Sequence, residues 1–264
     1  MLRTRVWTAL VALPTLLAVV FFAPAPWFAA FVAVLIVIGL GEVAAMTGAR
    51  TAGAIAILAL AGCGPAALLG WAPAHLWFIP LGVILAMLTL IVRVGGGGGA
   101  DAAAGVPGAG LTLLGALYVG ALFPYFALLR NRPDGIAAIV LILLLVIASD
   151  TGAYFTGLSI GRTRLAPRVS PKKTVEGAIG GLALCVVAGL LLRLPLVPRW
   201  GVAQAVAFSL TIGVLAQLGD LAGSALKRSA GVKDSGWIFP GHGGLLDRTC
   251  SIVFAVVLAY YWGR

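Results

Sequence analysis

Two stretches of this 264-residue chain gather most of its chemically versatile side chains. Residues 149–177 read SDTGAYFTGLSIGRTRLAPRVSPKKTVEG, and residues 219–248 read GDLAGSALKRSAGVKDSGWIFPGHGGLLDR. Asp150 and Asp220 each interrupt an apolar run. An ionised Asp at the centre of a membrane helix costs about 2.5–3.5 kcal/mol on insertion scales, so such a residue needs a partner and often marks a site. A helix cap or a nearby Arg would satisfy one isolated Asp. Here, however, Asp220, Ser224 and Lys227 recur at i, i+4 and i+7, one face of a helix. Asp150 and Tyr154 stand at i, i+4. Carboxylate, hydroxyl and ammonium in one stripe favour a binding cavity.

The second stretch adds Asp234, His242 and Asp247, with Gly241, Gly243 and Gly244 around the histidine. Carboxylate oxygens are hard ligands suited to Mg2+. The chain has two histidines, His75 and His242, and three scattered cysteines, Cys63, Cys185 and Cys250, so neither a zinc site nor a disulfide framework is expected. Glycines beside His242 would let backbone N–H groups approach an anion, although any tight turn also favours glycine. Half of the 18 Lys and Arg sit in two loops within these stretches: Arg162, Arg164, Arg168, Lys172 and Lys173, then Lys227, Arg228, Lys233 and Arg248. A belt facing lipid headgroups would explain cations alone. Interleaved with Asp, His and glycine, they make the kit for phosphoryl or nucleotidyl transfer.

The elements that position these residues follow from composition. Hydrophobic residues are 61% of the chain, charged residues 10%, and mean hydropathy is +1.10. A soluble domain carries about a quarter charged residues, so the solvent here is lipid. Apolar runs predict nine spans near 6–23, 27–44, 53–70, 75–92, 111–129, 136–157, 177–194, 202–226 and 249–263. The fold expected is an all-α polytopic membrane protein, since lipid cannot satisfy open strand edges. The first run is read as a membrane helix rather than a cleaved signal. Residues 95–110, GGGGGADAAAGVPGAG, read as a flexible linker, because no Lys or Ser/Thr follows in P-loop spacing. Residues 1–110 thus hold the N-terminal helices and linker, and 111–264 the catalytic region, within a single membrane unit. With the N-terminus inside, every Lys and Arg except Arg130, Arg132, Arg193, Arg199 and Arg264 falls on the inner side. The N-terminus and both cation-rich loops are therefore expected in the cytoplasm, with a polar cavity on the cytoplasmic side of the C-terminal half.

The run from Ser224 to Arg248 closely resembles the hallmark motif of phosphatidate cytidylyltransferases, the CDP-diacylglycerol synthases: S-x-x-K-R, four residues, K-D-x-G, then P-x-H-G-G-x-x-D-R. D-T-G-A-Y-F at 150–155, S-P-K-K-T-x-E-G at 170–177 and R-x-x-T-A-L-V from Arg5 to Val11 are similar to the same family. The resemblance implies conversion of CTP and phosphatidic acid into CDP-diacylglycerol and pyrophosphate, with Mg2+, in a bacterial inner membrane, by a homodimer. A nucleic-acid partner is not expected. A second cation beside Mg2+ stays open. The family's metal carboxylates correspond to Asp220 and Asp247.

One position departs from the pattern. The family usually has D-R-x-D, whereas Asp247-Arg248-Thr249 is followed here by Cys250. A thiol is a soft, poor ligand for Mg2+, so Cys250 is expected not to bind it.

The mechanism implied needs no general base. A phosphate monoester has a second pKa near 6 by analogy with phosphorylated side chains, so phosphatidate is largely dianionic at neutral pH. Lys227, Arg228, Lys233, Lys172, Lys173 and Arg248 are expected to meet phosphates, Lys227 foremost, with Asp150, Ser224, Asp234, Gly243 and Gly244 completing the substrate site. His242 would donate to a phosphate or protonate the leaving oxygen, or else bond to a turn carbonyl. Rival readings are a CTP-dependent lipid kinase, a cytidylyltransferase for another lipid phosphate, and an ion-coupled transporter using Asp150 and Asp220.

Overall fold

The computed structural model describes residues 2–48, 99–239, 241 and 243–262. Their elements run α1 (Leu2–Phe22), α2 (Ala25–Thr47), α3 (Gly99–Leu122), α4 (Pro124–Arg130), α5 (Gly135–Ile160), β1 (Arg164–Ala166), β2 (Ser170–Thr174), α6 (Val175–Leu196), α7 (Val202–Ser229) and α8 (Leu246–Tyr261). Five segments among the described residues are long and apolar enough to cross a bilayer: α2, Gly110–Arg130, α5, α6 and α7. Val34, Val37, Ile147 and Leu191 stand outward and exposed on these helices, a surface that suits acyl chains and not water. The chain is a helical membrane protein. The expected spans 53–70 and 75–92 lie outside the described residues.

Two expectations are corrected. The protein is not wholly α: β1 and β2 form a two-stranded antiparallel hairpin, pairing Arg164 with Thr174 and Ala166 with Ser170. Its turn is closed by the Val169 N–H donating to Ala166 O at 3.1 Å, with Pro167 at the position whose fixed φ suits a turn. The lipid argument against strands applies inside hydrocarbon, and this polar loop escapes it. The linker is also shorter than expected, because residues 99–110 already belong to α3. Alanine, the strongest helix former, dominates residues 100–104 and outweighs the glycines around it. The expected span 111–129 falls within the apolar segment Gly110–Arg130, which carries a turn at Phe123 where Pro124 withholds its amide and opens α4.

The described chain divides into two compact units, one of residues 1–128 with 226–248 and one of 129–225 with 249–264. In the first, α2 buries the stripe Phe28, Val32, Ile36, Leu40 and Val43, packed on α3. Contact is close at Gly39, where an added Cβ would lie 3.0 Å from Val119 Cγ1.

In the second unit, α5 and α6 meet along a seam of small residues. Ser149, Gly152, Ala153 and Gly157 face Gly177, Gly180 and Gly181, and a Cβ at Gly152 or Gly181 would come within 2.8 Å or 2.7 Å of a backbone oxygen across the seam. Such seams let membrane helices approach backbone to backbone. The hairpin is tied to the seam. Thr174 caps α6 by accepting the Gly177 N–H at 3.1 Å, and the Glu176 carboxylate accepts the N–H groups of Arg162 (3.1 Å) and Thr163 (3.2 Å). Gln217 of α7 donates to Ala178 O at 2.9 Å, which fixes α7 beside α6.

Candidate active site

In the second unit these elements enclose a cavity of about 580 Å3. Asp150 from α5, Lys172 and Lys173 from β2, Gln217 and Asp220 from α7, and Arg164 from β1 all line it. Lys173 Nζ lies 2.6 Å from Asp220 Oδ2. The Cys250 thiol, buried on α8, lies 3.6 Å from Asp220 Oδ1. The cavity therefore combines two carboxylates with three cationic side chains, and Tyr154 stands one helical turn beyond Asp150 as the spacing predicts. Phosphate oxygens and a divalent cation are the ligands such a lining can neutralise.

The first unit holds a second polar cluster around Asp247, in the opening turn of α8. Lys227 pairs with Asp247 Oδ1. Asp247 Oδ2 accepts the Ser235 N–H at 2.8 Å and the Gly244 N–H at 2.9 Å, with the Ser235 hydroxyl at 3.1 Å. Burial pushes the Asp247 carboxyl up, but the Lys227 ammonium and the two backbone donors outweigh it and hold the group below its ordinary value. Gly243 adopts φ +84°, and a Cβ there would come within 2.5 Å of Asp247 Oδ2, so only glycine serves this turn. The Phe239 N–H donating to Gly243 O at 2.9 Å closes the loop.

The expected site residues thus gather as two sets, Asp150, Lys172, Lys173 and Asp220 in one unit, and Lys227, Gly244 and Asp247 in the other. The ammonium beside Asp220 is that of Lys173, while Lys227, its neighbour on the helix face, serves Asp247. Gly244 gives its N–H to Asp247. Ser224 is half-buried on α7, Arg228 is exposed and donates to Val232 O at 3.1 Å, and Lys233, Asp234 and Arg248 are exposed. His242 lies outside the described residues.

Sequence reasoning missed Glu42. It is buried on α2, where its carboxylate accepts from the Leu245 N–H (2.6 Å), the Leu246 N–H (3.0 Å) and the Ser235 hydroxyl (2.7 Å). The signal was present as a lone carboxylate in an apolar run, the same signal that singled out Asp150 and Asp220.

No group of three or more His, Cys, Asp or Glu side chains that could hold a metal occurs among the described residues. The donor chemistry nevertheless fits Mg2+, which takes one or two carboxylates and keeps its waters. Asp220 and Asp247 each present hard oxygens against a lysine ammonium. Cys250 adds only sulfur at this position.

The match to known proteins agrees with this chemistry. Residues 3–264 match the model of the Cytidylyltransferase family, and the chain belongs to that family. It is 40% identical over 204 residues to the phosphatidate cytidylyltransferase of Brucella suis biovar 1 (strain 1330), covering 74% of this chain and 73% of that protein. It is 40% identical over 153 residues to that of Bacillus subtilis (strain 168), covering 58% and 57%. With that of Synechocystis sp. (strain ATCC 27184 / PCC 6803 / Kazusa) it shares 46% over 134 residues, 50% and 45% of the two chains.

Proposed function

We propose that this chain makes CDP-diacylglycerol and pyrophosphate from CTP and phosphatidic acid, working at the cytoplasmic face of a bacterial inner membrane. The observation that carries this reading is the cavity where Asp150 and Asp220 meet Arg164, Lys172 and Lys173, in a chain whose relatives include phosphatidate cytidylyltransferases.

A phosphatidate oxygen attacks the α-phosphorus of CTP, the new P–O bond forms, and the bond to the β-phosphate breaks with its electrons leaving on pyrophosphate. The dianionic monoester supplies its own nucleophile, so the residues need only orient and neutralise. Lys172, Lys173 and Arg164 hold phosphate oxygens through charge-assisted hydrogen bonds. Asp220 in the second unit and Asp247 in the first are each a candidate ligand for Mg2+, which when bound neutralises the triphosphate and the departing pyrophosphate. Lys173 and Lys227, each already paired to one of these carboxylates, exchange that pairing for phosphate as substrate enters. Asp150, Ser224, Arg228, Lys233, Asp234, Arg248 and the glycines at 243 and 244 complete the substrate site, and His242 donates to a phosphate. The full chain has nine spans with its N-terminus inside, and two copies associate.

The test is pyrophosphate release from purified protein given CTP and Mg2+, with and without phosphatidic acid. Release that requires lipid and Mg2+ together is expected. Phosphorylated lipid with CDP would replace the reading by a lipid kinase, and ion-driven uptake into vesicles without nucleotide turnover would replace it by a transporter.

A further inference from the structure

Glu42 belongs to none of the motifs that define the site, yet its carboxylate touches both segments that hold Asp247. One oxygen accepts the Leu245 N–H, and the other accepts the Leu246 N–H and the Ser235 hydroxyl. Leu246 opens α8 and Leu245 immediately precedes it, so no carbonyl within the helix can satisfy either N–H. A carboxylate there also opposes the positive end of the helix. Ser235 is the hinge of the arrangement. Its hydroxyl lies 2.7 Å from Glu42 Oε2 and 3.1 Å from Asp247 Oδ2, and its N–H donates to the same Asp247 oxygen. The hydroxyl has one proton for two carboxylates, so the two acids are coupled through it.

The result is two layers. Glu42 fixes Ser235 and the start of α8, and Ser235 with Gly244 fixes Asp247 Oδ2. The other oxygen, Oδ1, is left to face a cation, in this structure the Lys227 ammonium. The backbone also approaches Glu42 closely: a Cβ at Gly236 would lie 2.8 Å from Glu42 Oε1. The Leu245 and Leu246 N–H groups meet different oxygens of Glu42, so an amide, which must turn its NH2 towards one of them, cannot replace the carboxylate without loss.

We propose that Glu42 is a positioning residue for the cation-facing carboxylate Asp247, acting through Ser235 and the first turn of α8. The inference rests on the functional reading for its cation. A residue supporting a metal ligand from behind changes metal affinity or activity by about 10- to 100-fold when replaced. Glu42→Gln keeps the volume and removes the charge. In purified protein it should weaken Mn2+ binding, read by electron paramagnetic resonance without substrate, at least about tenfold. The Mg2+ concentration for half-maximal pyrophosphate release should rise in parallel, with the KM for phosphatidic acid unchanged. Glu42→Asp should retain part of the affinity, and Ser235→Ala should weaken it in the same direction.

A Glu42→Gln protein with a lower melting temperature but wild-type Mn2+ affinity and Mg2+ dependence would overturn the proposal and leave Glu42 a helix cap alone. If Glu42→Gln does not fold, Ser235→Ala carries the same measurements, and wild-type affinity there would likewise overturn it. A wild-type protein that binds Mn2+ but releases no pyrophosphate would sink the functional reading instead, with the Mn2+ comparison still deciding the role of Glu42.

Discussion

Replacing Cys250 by aspartate should make the stability of this protein depend on divalent cations. The thiol is buried 3.6 Å from Asp220 Oδ1, and α7 packs closely against it, since a Cβ at Gly223 would lie 2.7 Å from Cys250 Cβ. The new carboxylate has little freedom to turn away. Two unit charges 3.6 Å apart repel by about 4–5 kcal/mol at an effective dielectric constant near 20. Asp220 keeps 34% of its side chain exposed and has Lys173 at 2.6 Å on its other oxygen. Solvent and that ammonium reduce the net cost to about 1–3 kcal/mol. In chelator the variant should therefore melt below the wild type, and Mg2+ should recover the loss by giving both carboxylates a shared counter-charge. Thermal unfolding in detergent, with chelator or millimolar Mg2+, reads this directly. Adding Asp220→Asn to the variant should abolish the Mg2+ response. If the single variant melts like wild type in chelator and ignores Mg2+, residue 250 does not address Asp220 and the reasoning fails. Turnover in the same samples has its own meaning: a several-fold rise marks the thiol as a weakness of this enzyme, an unchanged rate marks the position as dispensable.

Three further outcomes are expected. Asp220→Asn and Asp247→Ala should each lower Mg2+-dependent pyrophosphate release about 100-fold or more, the scale for losing a preorganised charge-stabilising group; near-normal rates in either would remove that residue from the metal assignment. Lys173→Ala should raise the KM for CTP, with partial recovery in Lys173→Arg, because the ammonium beside Asp220 is replaced by another cation; equal KM values across the three proteins would exclude Lys173 from phosphate binding. Gly181→Leu should cost at least about 1–3 kcal/mol of stability, because even a Cβ would sit 2.7 Å from Ser149 O; an unchanged melting temperature would contradict the packed seam.

Legibility differed by kind of residue. Asp150, Asp220, Lys172 and Lys173 were readable because charge in an apolar setting is costly and the stripes were local, and the cavity joins those four. The helical, membrane character followed from composition alone. Ion-pair partners were not readable: helix periodicity put Lys227 beside Asp220, but the carboxylate it serves lies on α8, and β2 supplies the lysine for Asp220. The hairpin was hidden because its strands of three and five residues are too short for a period-two pattern. Glu42 was overlooked for a different reason, as its partners are separated from it by 193 residues or more and no local spacing points to them.

That separation bears on how the protein is made. A ribosome adds about 5–20 residues per second, so α2 is complete about 10–40 seconds before Ser235, the nearest of its donors in sequence, has been synthesised. Through that interval a polar group on an apolar helix must borrow hydrogen bonds from water, lipid headgroups or the insertion machinery. The polar group on α2 is thus satisfied by donors that follow it by 193 to 204 residues. A nascent chain stalled before residue 235 keeps the Glu42 carboxylate without any of the three native donors that hold it in the folded protein.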